Sequence, residues 1–149
     1  MEAELEAVGV VGAGFMGSGI AESAARAGLR VTLHEPDAAP LERSRGRIGS
    51  SVERAVEGGK LSATEAAALV DRIEWTTDFD GLGDADVVVE AVVEDAALKG
   101  NVFQTLDRQL GEDVILASNT SSIPIAQLAS WTDHPQRVLG LTSSRPCRS

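Results

Sequence analysis

Gly12-Ala13-Gly14-Phe15-Met16-Gly17 fits the pattern G-x-G-x-x-G. Alone such a pattern is weak, but here an apolar run leads into it and a helical pattern leaves it. In that setting each glycine has a task. Gly12 allows a tight turn, Gly14 lets a backbone approach a pyrophosphate, and Gly17 permits close packing of helix on strand. The helix N-terminus adds unpaired N–H groups and partial positive charge, which suit phosphate. A Walker A loop is excluded, because no Lys-Ser or Lys-Thr follows the glycines. Eighteen positions after Gly17, Glu35 closes the next strand-like run. An acidic side chain there accepts hydrogen bonds from ribose hydroxyls and repels a 2′-phosphate, so NAD is expected in preference to NADP. Arg43, Arg45 and Arg47 are the nearest cations and lie a helical turn or more beyond that strand.

Other polar residues need placing. Ser118-Asn119-Thr120-Ser121-Ser122 follows an apolar run, where open α/β sheets put ligands. Ser122 reads as the N-cap of a short helix. Glu94 and Lys99 are five residues apart, too far for one helical face, so a purely structural pairing is unnatural for them. His34 and His134 read as solvated surface histidines.

The elements that must carry these residues alternate. Strands are expected at 5–11, 29–35, 73–76, 86–93, 113–118 and 138–141. Helices are expected at 15–27, 38–58, 62–72, 96–110 and 123–130. Gly28 has the character of a C′ residue, Ser62 and Glu65 the spacing of a capping box, Asp95 that of an N-cap, and Gly111 that of a helix stop. The run at 86–93 is apolar on both faces apart from Glu90, as a central parallel strand should be. Strands alternating with helices give a doubly wound α/β fold of Rossmann type, with a mainly parallel sheet and a helical hairpin at 38–72.

Bulk properties set the outer limits. The 149 residues allow one domain with its own core. Hydrophobic residues make up 43%, charged residues 24% and aromatics 3%, so the core must be built from Val, Leu, Ile and Ala. A net charge of −10 argues against nucleic acid or an anionic membrane as partner. Cys147 is the single cysteine, which rules out an internal disulfide framework and metal-ligand spacing. No apolar run approaches the ~20 residues of a membrane span. Met1-Glu2-Ala3-Glu4 lacks the basic start of a signal peptide, and a cytoplasmic location is expected.

Three segments narrow the choice among Rossmann domains. Gly12–Gly17, the run Val88-Val89-Glu90-Ala91-Val92-Val93-Glu94-Asp95 with Lys99, and above all Ser118-Asn119-Thr120-Ser121-Ser122 resemble the 3-hydroxyacyl-CoA dehydrogenases, the 3-hydroxybutyryl-CoA enzymes included. The resemblance runs in register from about Leu5 to Leu141. It implies cofactor contacts at Gly12, Ala13, Gly14, Phe15, Met16, Gly17, Glu35, Ala91, Glu94, Lys99 and Asn119, with NAD as cofactor. It implies that Ser121 hydrogen-bonds the 3-oxygen of a 3-hydroxyacyl-CoA substrate, and that the hairpin helps form the CoA site. In the family, hydride passes from the (S)-3-hydroxyacyl-CoA to NAD in fatty-acid and butanoate metabolism, and a helical second domain makes most of a homodimer interface.

The pattern breaks after Gly140-Leu141. The family continues into His-Phe-Phe, whose His is the general base and is oriented by a later Glu. This chain has Thr142, whose hydroxyl has no pKa near neutrality and cannot replace imidazole. Residues 1–141 are expected to form the cofactor domain, and 142–149 an aberrant, disordered tail without the family's second domain. That tail is basic and holds the only cysteine, whereas the chain before it is acidic. A coding run CAC TTC TTC GCG CCC GTG CCG CTC, for His-Phe-Phe-Ala-Pro-Val-Pro-Leu, becomes ACT TCT TCG CGC CCG TGC CGC TC on loss of its first base. That frame reads Thr-Ser-Ser-Arg-Pro-Cys-Arg-Ser, so a frameshift is expected. Three functions stay open: a dehydrogenase complete only in a longer chain, an NAD-binding module without catalysis, and a domain of another NAD-dependent hydroxyacid dehydrogenase.

Overall fold

The computed structural model describes residues 5–120 and 122–141. Ser121, Thr142 and the rest of 142–149 lie outside them, as does the substrate role expected of Ser121. Valine- and leucine-rich runs form six strands: β1 (Ala7–Val11), β2 (Arg30–His34), β3 (Ile73–Thr76), β4 (Val87–Glu90), β5 (Ile115–Ser118) and β6 (Val138–Gly140). Among the described residues five helices connect them: α1 (Phe15–Arg26), α2 (Ala38–Glu57), α3 (Ala63–Asp71), α4 (Ala96–Gln109) and α5 (Ile125–Ser130). The sheet order is β3-β2-β1-β4-β5-β6, and every pairing is parallel. The expected fold class holds, with a sheet more uniform than the mainly parallel one expected. After β1 the chain winds outward one way through β2 and β3, then returns to wind the other way from β4. The carboxyl ends of β1 and β4 therefore flank the switch point at which such sheets bind ligands.

Alternation along the central strands feeds two cores. Val89 and Ala117 face α1, α2 and α3 together with Val10, Leu33, Ile48 and Leu69. Their neighbours Val88 and Leu116 face α4 and α5 with Phe103, Leu106 and Leu128. Burial on both faces explains why β4 reads as a continuous apolar run.

Local signals hold where a side chain or glycine sets the geometry. Gly28 takes φ +95° just after α1. Ser62 and Glu65 bond reciprocally as a capping box, and Asp95 caps α4 by accepting from the Leu98 N–H at 2.9 Å. Three readings need correction, and one short element is new. Strand 86–93 ends at Glu90, because Ala91 makes one last bond to Val11 O before the chain turns away. Gly111 does not stop α4. Leu110 turns extended one residue earlier, and the Arg137 guanidinium takes carbonyls at Asp107, Gly111 and Val114. Ser122 does not cap α5. Pro124 is its N-cap, and the Thr120 hydroxyl accepts the N–H groups of Ser122 and Ile123 instead. A 3₁₀ turn at Phe79–Leu82, which periodicity does not signal, buries Leu82 between helix and sheet.

Neither histidine is the solvated residue expected. His34 is buried with its ring 4.1 Å from that of Phe79, because the turn at 79–82 covers the end of β2. His134 is half-buried. Its Nδ1 lies 3.1 Å from Asp107 and its Nε2 3.1 Å from Glu112, beside Arg137, which is bound to the same Asp107 carboxylate at 2.7 Å. The hydrogen bond to Asp107 raises the His134 pKa above the ordinary 6.5. A raised folded-state pKa means a contribution fully present below about pH 6.5 and lost as pH rises through the folded value. His134→Gln should therefore lower the melting temperature more at pH 5.5 than at pH 8.5. A gap that stays constant between these pH values would contradict the pairing.

Candidate dinucleotide-binding site

The carboxyl ends of β1, β2 and β4 enclose a cleft of about 440 Å³. Its walls include Gly12, Ala13, Gly14, Glu35, Phe79, Ala91, Leu98 and Val102. Five of the expected cofactor residues, Gly12, Ala13, Gly14, Glu35 and Ala91, thus meet in one place. The glycine loop has the geometry its motif requires. Gly12 sits at φ +113°, and a Cβ there would lie 2.7 Å from Ala91 O. A Cβ on Gly17 would lie 1.7 Å from Gly12 O, so helix and loop touch backbone to backbone. Beside Gly14 there is nothing within 4 Å, so a ligand can approach its backbone. Helix α1 begins there without a side-chain cap, so its first N–H groups are left for an incoming acceptor. Phe15, 79% exposed, and Met16 stand out from the loop. These features fit a dinucleotide pyrophosphate at the start of α1.

Glu35 directly follows β2 and accepts a hydrogen bond from Ala13 N–H at 3.0 Å through Oε2. It therefore braces the loop as well as facing the cleft. Arg47 reaches farther than its position on α2 suggests. Its guanidinium donates to Ala13 O at 3.4 Å and lies 4.0 Å over the Phe15 ring. Burial pushes the His34 imidazole below its ordinary value, against opposing pulls from the Thr77 backbone, Glu35 and Asp78.

Glu94, Lys99 and Asn119 lie beyond the cleft walls, on the β4–β5 side of the switch point. Lys99 is fully buried rather than at the surface. Its ammonium lies 2.6 Å from Glu90, donates to Val92 O at 3.3 Å, and lies 3.9 Å from Glu94. Glu94 and Lys99 therefore do meet, because Glu94 precedes α4 and is not bound by helical spacing. The Thr120 hydroxyl donates to Glu94. Asn119 N–H bonds Glu90 O at 3.1 Å, continuing the ladder past β5. Glu90, Ser118 and Arg47 were not anticipated as parts of the site. The signal for Glu90 was its charge within an apolar strand.

Comparison with known proteins agrees with this geometry. The model of the family described as 3-hydroxyacyl-CoA dehydrogenase, NAD binding domain, matches residues 7–148. A 3-hydroxybutyryl-CoA dehydrogenase of Mycobacterium tuberculosis is 50% identical over 147 residues, covering 98% of this chain and 51% of its own. The crystal structure of FadB2 from M. tuberculosis superposes with a TM-score of 0.92 at 50% identity, covering 97% of this chain and 51% of that one. That of the (S)-3-hydroxybutyryl-CoA dehydrogenase PaaH1 from Ralstonia eutropha gives 0.89 at 38% identity, covering 92% and 48%. The chain spans about half the length of these relatives. No helix among the described residues is long and apolar enough to cross a membrane. With its glycine loop at the switch point of an all-parallel sheet, the chain belongs to the 3-hydroxyacyl-CoA dehydrogenase family, as the NAD binding domain.

Proposed function

We propose that this chain holds NAD for the oxidation of an (S)-3-hydroxyacyl-CoA to the 3-oxoacyl-CoA, in cytoplasmic fatty-acid and butanoate metabolism. The observation that carries the cofactor reading is the convergence of Glu35 and the uncapped start of α1 on one cleft. The pyrophosphate would sit on the N–H groups that begin α1, and a Glu35 oxygen would accept the adenosine ribose hydroxyls. The apolar wall of Phe79, Leu98 and Val102 would cover the adenine. NAD supplies the hydride acceptor. The chain's own residues bind and orient it, with Ala91, Glu94, Lys99 and Asn119 on the nicotinamide side and Ser121 toward the substrate oxygen. Residues 1–141 form this unit. Nucleic acid is not a partner, and the whole enzyme is a homodimer.

Calorimetry tests the cofactor preference. The chain should bind NAD more tightly than NADP. Glu35→Ala should weaken NAD about tenfold or more, as expected for a lost hydrogen bond to a charged group, and narrow the gap to NADP. Arg47 does not reverse this preference, because its guanidinium is held by Ala13 O and the Phe15 ring. Equal affinity for the two cofactors in the unmodified chain would refute the role given to Glu35.

A further inference from the structure

Glu90 is the last residue of β4 and is fully buried. Oε1 accepts from the Ser118 hydroxyl at 2.6 Å, and Oε2 accepts from the Lys99 ammonium at 2.6 Å and from Val92 N–H at 2.7 Å. Its backbone carbonyl accepts from Asn119 N–H. One residue thus binds the loop that leaves β4, the first turn of α4 and the segment that leaves β5. We propose that Glu90 is a positioning residue for the nicotinamide half of the cofactor, acting through Lys99, Val92 and Ser118. The inference rests on the cofactor reading above.

A dinucleotide crossing the sheet edge at the switch point has its adenosine half on the β1–β2 side, at the glycine loop and Glu35. Its other half falls beyond the ends of β4 and β5. Of the segments that Glu90 ties together, Glu94 and 119–120 lie there, while Ala91, Val92 and Val93 run from there along the wall of the cleft. Lys99 extends the tie to Glu94, and Glu94 extends it to Thr120. Among the described residues Glu90 makes no side-chain bond to the glycine loop. Stability alone does not call for this arrangement, since a buried ion pair can often be replaced by well-packed apolar groups without loss. An apolar side chain at position 90 would fill the space between α4 and the sheet, but it would not fix the direction of an ammonium, a hydroxyl and an amide at once. Fully satisfied buried networks do supply such rigidity.

The test compares NAD with ADP-ribose, which lacks nicotinamide, by calorimetry on the full chain. Glu90→Gln keeps the shape and removes the charge. It should weaken NAD about tenfold or more while leaving ADP-ribose within about twofold, because only the far half loses its orientation. Ser118→Ala should act in the same direction with a smaller factor, and it carries the test if Glu90→Gln does not fold. A general structural defect would weaken both ligands alike. An unchanged NAD to ADP-ribose ratio in the folded variants therefore overturns the proposal. So does an unmodified chain that binds the two ligands equally. An unmodified chain that binds neither overturns the cofactor reading itself.

Discussion

Gly17→Ala is expected to cost about 3 kcal/mol or more of stability and to abolish measurable NAD binding. The added Cβ would lie 1.7 Å from Gly12 O, and the contact is with backbone, which cannot rotate away as a side chain could. Relief requires α1 to lift from the loop. That motion strips the Val10 side of the sheet of its cover and moves the N–H groups that begin α1. Overpacking in a dense core typically costs about 1–3 kcal/mol, and a backbone collision exceeds the usual case. Against a total stability of about 5–15 kcal/mol the loss is large. Gly19, on the same helix, gives an internal control. A Cβ on the exposed Gly19 meets nothing within 4 Å, so Gly19→Ala should raise stability by about 0.5–1 kcal/mol through helix propensity. Thermal denaturation of both variants, with NAD titration, checks the pair. A Gly17→Ala protein as stable as the unmodified chain would mean that the loop is not packed on α1 as described.

The chain is also expected to show no measurable reduction of NAD with (S)-3-hydroxybutyryl-CoA. The resemblance places a general-base histidine where this sequence has Thr142, and losing such a base removes about 10²–10⁴-fold in rate. Neither remaining histidine can take its place. His34 ends β2 on the Glu35 side of the cleft, with its ring packed against Phe79, away from the segments that leave β4 and β5. His134 precedes β6 and so stands at the amino-terminal edge of a parallel sheet, opposite the edge that carries the cleft. It is committed to Asp107 and Glu112 besides. Following NADH absorbance over a range of substrate concentrations checks this. Turnover at ordinary enzyme rates, about 1–10³ s⁻¹, would show that a residue other than the one at position 142 serves as base.

The order of elements, the parallel sheet and the glycine loop were legible because each rests on local or periodic rules. Val88 and Val89 alternate between two cores, Gly12 needs a positive φ, and Ser62 and Glu65 cap their own helix. What escaped the sequence depends on where distant segments meet. Glu90 looks like a flaw in an apolar strand until Ser118 and Lys99 arrive beside it from 28 and 9 residues away. His34 looks solvated until the turn at Phe79–Leu82 closes over it. Arg47 looks remote from the loop until α2 packs against α1 and brings it over Phe15. Boundaries shifted by one to three residues for a related reason. A strand ends where its last ladder bond is made, and that is set by the neighbouring strand rather than by the apolar run itself.

The enclosure of Lys99 bears on the chain's own chemical durability. A protein proposed to serve an acyl thioester sits beside an electrophile that can acylate an exposed amine. This sequence carries only two lysines, Lys60 and Lys99, and otherwise relies on arginine for positive charge. A guanidinium is a poor nucleophile, because it stays protonated at any physiological pH. Lys99 is sealed from solvent with its hydrogens donated to Glu90 and Val92, so a thioester has no line of approach to its nitrogen. Lys60, exposed just past the end of α2, is the one primary side-chain amine that such a reagent can meet.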